Sequence, residues 1–507
     1  RTDNSLRNLK TAVLFKLAAI VVNFIARKIF VVVLTKEYLG LDGTFANILT
    51  MLSLAELGVG TAITYSMYKP LAEGDRELIL SLMTLYRKLS PLIGIPVGVP
   101  GEALTPFLQY IIRDIPDIPH IRLIYLMFVL DSSISYFLVY KQSLISADQK
   151  QHIVTSYQYK TSMAVTAAQC AALLLTGDYI LYLALKLCAT FVCNALLARK
   201  ADRLYPYLKQ KTVQPLPAPV RQDISKNIRA MIAHKLGGVV VFGTDNVLIA
   251  YFVGAVSVGL YSNYLLITQS LKSAYSMIFR AMTASIGNLC AAEDTAHAQA
   301  VFWRVDLLTR WIYVPAVCLV VLFNPFISLW LGADYLFSMP IVLLIVLSFY
   351  VTGMRQSVLT FREAMGLYWY DRHKPLFESA INLAVSILLA KPFGIVGIFI
   401  GTVVSTLSTC TWVEPYILFR HGFGAPVGKY FVRYALNVLL TAAAGAATWY
   451  ICALLPAAGF GAFLVKVLLC CVLPNLFFLL VYGKTSEFRY FLTLGKSVLG
   501  KRMHKSA

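Results

Sequence analysis

The sequence predicts an all-α polytopic membrane protein of about fourteen transmembrane helices, two six-helix bundles in parallel repeat plus two C-terminal helices. Three observations predict it. The chain is 58% hydrophobic and 14% charged, with a mean hydropathy of +0.69, whereas an average soluble domain is about 25% charged. Apolar blocks of roughly twenty residues, the length that crosses a bilayer, recur throughout its 507 residues. Two short motifs also recur at a common spacing of 214 positions.

The blocks fall at 11–34, 44–68, 79–100, 121–143, 153–176, 179–198, 228–253, 258–286, 305–331, 338–361, 376–391, 394–418, 430–453 and 459–482. The first is too long for a signal-peptide core and lacks a small-residue cleavage site, so it reads as a retained helix. The fifth and sixth blocks, and the eleventh and twelfth, are joined by very short turns and must form hairpins. After six blocks the segment 199–226 intervenes, and its Pro-rich KTVQPLPAPV breaks helix. This gives an N-terminal bundle at 1–198, a linker at 199–226, a second bundle at 227–420, and two extra helices with a basic tail at 421–507. The repeat supports two halves in one orientation. KQSLIS at 141–146 matches RQSVLT at 355–360, and Gly40 in EYLGLDGTFAN matches Gly254 in YFVGAVSVGLYSN, both at a spacing of 214.

The formal charge of +20 could suggest a nucleic-acid partner, but its distribution argues against one. Lys and Arg crowd one set of connections. These are the N-terminus, Lys69 and Arg76, Lys150, the linker, Arg304, the segment from Arg362 to Lys374, Arg420 and Lys429, and the tail from Lys484 onward. The opposite set holds little beyond Lys36, Arg113 and Lys391. By the positive-inside rule the crowded side is cytoplasmic, which puts both termini there in a multi-pass protein of the cell membrane. Nine cysteines, mostly within apolar blocks, show no metal-ligand spacing. GxSxG, HExxH and P-loop patterns are absent, and the longest outer connection, about 101–120, is too short for a catalytic domain. The chain therefore reads as a non-enzyme, without a cofactor or metal.

The segments SLRN, EYLGLDGTFANILTMLSLAELGVGTAITYSMYKPLAEGD, TDNVLIAYFVGAVSVGLYSNY, FREAMGLYWYDRHKP and KPFGIVGIFIGTVVSTL carry a resemblance over nearly the whole chain. It resembles the Wzx-like polysaccharide-exporter branch of the multidrug/oligosaccharidyl-lipid/polysaccharide flippase superfamily. The resemblance implies two six-helix bundles around a central cavity and the flipping of undecaprenyl-diphosphate-linked glycans across the cytoplasmic membrane by alternating access. It further implies a lipid-linked glycan as substrate, membrane lipids as surroundings and polysaccharide-assembly enzymes as neighbours. The alternatives are an ion-coupled multidrug or cation exporter of the same superfamily and a membrane glycan polymerase or transferase.

Ionisable groups at membrane depth cost several kcal/mol and mark functional sites by default. Candidates for a substrate cavity are Arg27, Lys235, Asp245, Arg280 and Arg355. Arginine suits a diphosphate because its planar fork makes two parallel hydrogen bonds. Arg280, Arg355, Arg362 and Lys141 could together form a basic vestibule. Candidates for a gate or for ion coupling are Glu56, its repeat partner Lys272, and Asp131, which begins DSSISY. Against each stands a structural reading, as interface anchor, local ion pair or helix-packing hydrogen bond. Lys235 and Asp245 share a helix but lie about 15 Å apart along it, so they do not pair with each other. Glu378 and Glu414 read as interfacial, close to helix ends. The tryptophans near span ends read as an aromatic belt.

Overall fold

The computed structural model describes residues 2–52, 59–148, 150–210, 215–218, 220, 222, 244–292, 294–455 and 459–493. They form an all-α polytopic membrane protein, with no strand among the described residues. Lipid offers no hydrogen-bond partner, so an apolar chain must satisfy its own backbone, and a helix does this within one segment. The chain divides into two compact units, Arg1–Leu260 and Tyr261–Ala507.

In the first unit the helices are α1 (Thr2–Val33), α2 (Lys36–Leu52), α3 (Val59–Glu73), α4 (Arg76–Ala103), α5 (Ile121–Phe137), α6 (Val139–Ala147), α7 (Gln151–Thr176) and α8 (Tyr179–Leu204). Residues 244–252 are also helical, and α9 (Ala255–Ala292) runs from this unit into the next. The second unit continues with α10 (Thr295–Trp330), α11 (Met339–Ala364), α12 (Lys374–Phe393), α13 (Ile395–Phe423), α14 (Gly428–Ala453) and α15 (Phe460–Tyr482).

Seven described helices, α8 and α10 to α15, are long and apolar enough to cross a bilayer, or eight if the pair α5 and α6, bent by 46°, is one span. Helices α1, α4, α7 and α9 have the length but are not among these spans, and they carry charge at Arg27 and Lys28, Arg87 and Lys88, Lys160, and Lys272 and Arg280. The block at 44–68 falls on α2 and α3, on either side of residues outside the description, and that at 228–253 is described only from 244.

Helix starts follow the acids of the connections. Asp75, Asp178 and Asp294 each accept a hydrogen bond from a first-turn backbone N–H, at 2.9, 2.7 and 3.0 Å. In lipid, close packing rather than water exclusion holds helices together, and small residues let backbones approach. The first unit uses this where α2 crosses the start of α9. A Cβ on Gly40 would stand 2.3 Å from the Ala255 carbonyl oxygen, and one on Gly259 would stand 2.7 Å from the Gly40 nitrogen. Asn246 donates to Asn47 at 3.1 Å beside this crossing. Arg113 ties the connection before α5 to the end of helix 244–252, donating from its backbone to Ala250 (3.0 Å) and from its guanidinium to Phe252 (2.9 Å).

In the second unit, Phe302, Phe361, Phe419, Phe423 and Tyr430 form the centre of an aromatic core between α10, α11, α13 and α14. Helices α12 and α13 form the expected hairpin, turning at Gly394 alone. Helix α13 does not end near 418 as the sequence suggests. It continues through two π turns, Thr406–Cys410 and Leu418–Phe423. Pro415 lies between them and removes the N–H that would donate to Thr411 in a regular α-helix.

Gly40→Val is expected to lower the stability of the detergent-purified protein by at least the ~1–3 kcal/mol typical of overpacking, because the obstructing atom is backbone. Gly428→Ala, which meets open space, should leave it unchanged. Thermal unfolding of the two variants measures the difference.

Candidate functional site

A network of buried charges joins α11, α12 and α13 in the second unit. Arg355 stands where α11 breaks between Met354 and Gln356. Its guanidinium donates to both oxygens of Glu414, Nε to Oε2 at 2.8 Å and Nη2 to Oε1 at 2.6 Å. Arg362, two turns on, lies 3.5 Å from Glu414 and donates to Asp371. Lys374, at the start of α12, donates to Glu414 and lies 4.0 Å from Asp371. Glu414 is 0% exposed and Glu378 is also buried. Glu378 lies close to the start of α12, as the sequence suggests, whereas Glu414 does not lie close to a helix end. Because α13 runs on to Phe423, Glu414 sits well inside the helix, where a carboxylate persists only with cations around it. In the same unit Arg310 donates to Asp306 at 2.8 Å and to the Arg433 carbonyl at 2.7 Å, and Ser357 donates to Asp306 at 3.1 Å.

The first unit carries the same device at the repeated motif. Lys141, the counterpart of Arg355, forms a 2.8 Å ion pair with Asp202. Ser143, the counterpart of Ser357, lies 3.4 Å from the Tyr86 hydroxyl. The 214-residue repeat is therefore expressed as one internal arrangement in each unit, a cation paired with an acid some sixty positions downstream and a serine bonded to an upstream helix. The residues expected to form a basic vestibule have these surroundings. Lys141, Arg355 and Arg362 are each neutralised by a carboxylate, while Arg280 is exposed.

The remaining candidates divide by environment. Arg27 is partly buried within electrostatic reach of Asp42 and Tyr182. Tyr179 donates to Asp42 at 3.2 Å and stacks with Tyr182 at 5.7 Å, and Phe30 meets both rings edge-on. This aromatic and acidic cluster joins α1, α2 and α8. Asp131 on α5 lies 3.8 Å from Lys186 on α8, whose ammonium sits 4.6 Å from the Phe128 ring centroid. Asp245 is partly buried in helix 244–252. Lys235 and Glu56 lie outside the described residues, and with Glu56 goes its pairing with Lys272. Lys272 stands on α9, 5.9 Å from the Phe349 centroid and within electrostatic reach of Arg355. Among the described residues no carboxylate forms an ion pair with it.

Sequence reasoning missed Asp42, Lys186, Asp306 and Arg310. The last two carried a usable signal, since an acid and a base four positions apart share a helix face. Asp42 and Lys186 carried none, because their partners are remote in sequence. Beside these charges lies an apolar cavity of about 430 Å³ among α10, α11 and α14, walled by residues such as Val320, Leu343, Leu347 and Trp449. Its polar floor is Tyr350, 3.1 Å from Thr441 and accepting from Asn437 at 2.9 Å.

The chain matches no protein-family model and no curated protein. Its fold is that of solved membrane transporters. It is similar to the lipid II flippase MurJ in an inward closed conformation, with a TM-score of 0.62 at 13% identity, over 93% of this chain and 99% of that one. It is also similar to an inward-facing multidrug resistance MATE family transporter of the MOP superfamily, with a TM-score of 0.60 at 13% identity, over 78% of this chain and 94% of that one. A point mutant of the Vibrio cholerae MATE transporter VcmN aligns with a TM-score of 0.52 at 13% identity, over 80% of this chain and 94% of that one.

Removing the Glu414 carboxylate leaves three cations without their shared partner. Glu414→Gln should therefore cost about 3–5 kcal/mol, the usual effect of breaking a buried ion pair from one side. Lys141→Met, at a pair more exposed than Glu414 and its cations, should cost less. Thermal unfolding of each variant in one detergent gives the comparison.

Proposed function

We propose that this chain is a flippase that moves a lipid-linked oligosaccharide across the cell membrane by alternating access. The observation that carries the proposal is Lys272. It is a half-buried cation in the middle of α9, beside a second cation, and with no carboxylate partner among the described residues. Burying a charge in hydrocarbon costs several kcal/mol unless something compensates it. A diphosphate head passing through a hydrated interior would supply that compensation, while its prenyl tail stays in lipid. Arg27, on α1 of the first unit, is a second such cation, within electrostatic reach of Asp42 and Tyr182. The fold likeness supports the same reading, since the lipid II flippase aligns over nearly the whole chain and the exporters over about four fifths of it. Both termini would lie in the cytoplasm, and the enzymes that assemble the glycan would be neighbours on either side of the transport step.

The second reading is a cation-coupled drug exporter. The MATE likeness and the membrane acids Asp131 and Asp245 favour it. Reconstitution with defined lipid-linked oligosaccharides separates the two. Wild type should deliver glycan to the far leaflet. Lys272→Ala should slow delivery roughly ten- to hundredfold, the factor corresponding to a lost charge-assisted hydrogen bond of about 1.5–3 kcal/mol, and Lys272→Arg should retain most of it. Unchanged delivery by Lys272→Ala, or extrusion of a cationic dye without movement of the lipid, would overturn the proposal.

A further inference from the structure

At one end of the second unit, a recess of about 380 Å³ opens between α10, α14 and α15. The charge count assigns this end to the cytoplasm, because Arg304, Lys429 and Lys484 all lie there. The floor of the recess is the closed pair of Arg310 and Asp306. One wall is Trp303, only 8% exposed and therefore no part of an aromatic belt. Two cations lie against its ring, Arg433 at 4.5 Å and Lys429 at 5.5 Å from the centroid. Arg304 stacks on Tyr490 nearby, at 4.1 Å.

The charges do not cancel. Arg310 is neutralised by Asp306. Arg433 gives one N–H to Glu487 at 3.0 Å, and among the described residues the rest of its guanidinium fork meets no acceptor. Lys429 and Arg304 have no carboxylate partner among the described residues. Within the lining each cation thus has an acid, and the positive surplus comes from Lys429 against Trp303 and Arg304 next to it in sequence, while Arg433 keeps unused donors. The opposite wall is apolar and faces outward, with Leu436 53% and Val481 42% exposed. One side suits a phosphate, and the other suits the first methylenes of acyl chains.

We propose that this recess binds the headgroup of an anionic phospholipid from the cytoplasmic leaflet, with the phosphate between Arg433 and Lys429 over Trp303 and the chains along α14 and α15. Basic pockets between transmembrane helices at the cytoplasmic side recognise such headgroups, and the cation–π contacts hold the two side chains in place before the ligand arrives. Size separates this ligand from a transported glycan. A volume of 380 Å³ holds on the order of a dozen waters at ~30 Å³ each. That suffices for a glycerophosphate head, whereas an oligosaccharyl diphosphate would extend well beyond it. The recess shares no residue with the surroundings of Lys272, so it stands whether or not the chain is a flippase.

The test uses the full chain purified from phosphatidylcholine vesicles containing phosphatidylglycerol, with lipid retained after washing measured by mass spectrometry. Wild type should retain phosphatidylglycerol and gain thermal stability from it, while soluble glycerol 1-phosphate at matched concentration should stabilise little. The double variant Lys429→Ala/Arg433→Ala should lose retention at least tenfold. Lys429→Ala alone, at an exposed position, should lose part of it with the fold intact. Arg420→Ala, a basic residue of the same side outside the recess, should behave as wild type. Equal retention by wild type and the double variant would overturn the proposal, as would equal loss with Arg420→Ala or stabilisation by glycerol phosphate as strong as by the lipid.

Discussion

The desolvation of charge governs this protein. A side chain held at membrane depth keeps its charge only against a counter-charge or water, and the second unit satisfies that rule around a single carboxylate. Glu414 gathers Arg355, Arg362 and Lys374 from α11 and the start of α12. The same bonds therefore neutralise the charges and fix how α11, α12 and α13 meet. The first unit solves the smaller problem of Lys141 and Asp202 with one pair. Against this background of paired charge, Lys272 stands out.

Much of the fold was legible in the sequence because lipid imposes a strong pattern. Apolar block lengths gave the helices, and the closely spaced eleventh and twelfth blocks gave the hairpin that turns at Gly394. The spacing of 214 positions led to two arrangements that match at Lys141 and Arg355. The partners of the charges were not legible. Asp42 reaches Tyr179 across 137 positions, and Asp131 meets Lys186 from another helix, and no local periodicity encodes such a meeting. Glu414 was misread for a different reason. Distance from the apparent end of an apolar block is a poor guide when π turns and a proline extend the helix beyond it.

A shared fold hosts different chemistries, so what distinguishes this chain lies in its side chains. The transporters it resembles differ in what they move, lipid II in one case and drugs in the other. In this chain the acids at membrane depth mostly have basic neighbours, as Asp131 has Lys186 and Glu414 has three cations. Among the described residues, cations without a carboxylate partner include Lys272 on α9 and Lys429 against Trp303.

The two wide turns of α13 set the phase of the helix. A single π turn holds one residue more than the α-helical turn it replaces, and one residue corresponds to about 100° of rotation about the axis. The turn at Thr406–Cys410 precedes Glu414 and the turn at Leu418–Phe423 follows it. The first therefore sets the bearing of the carboxylate toward Arg355, and the second carries Phe419 and Phe423, which pack into the aromatic core. Polar and apolar contacts on one helix would otherwise need incompatible faces. A surplus of one residue at each turn lets the same rod present both, so the length of α13, as much as its composition, is under constraint.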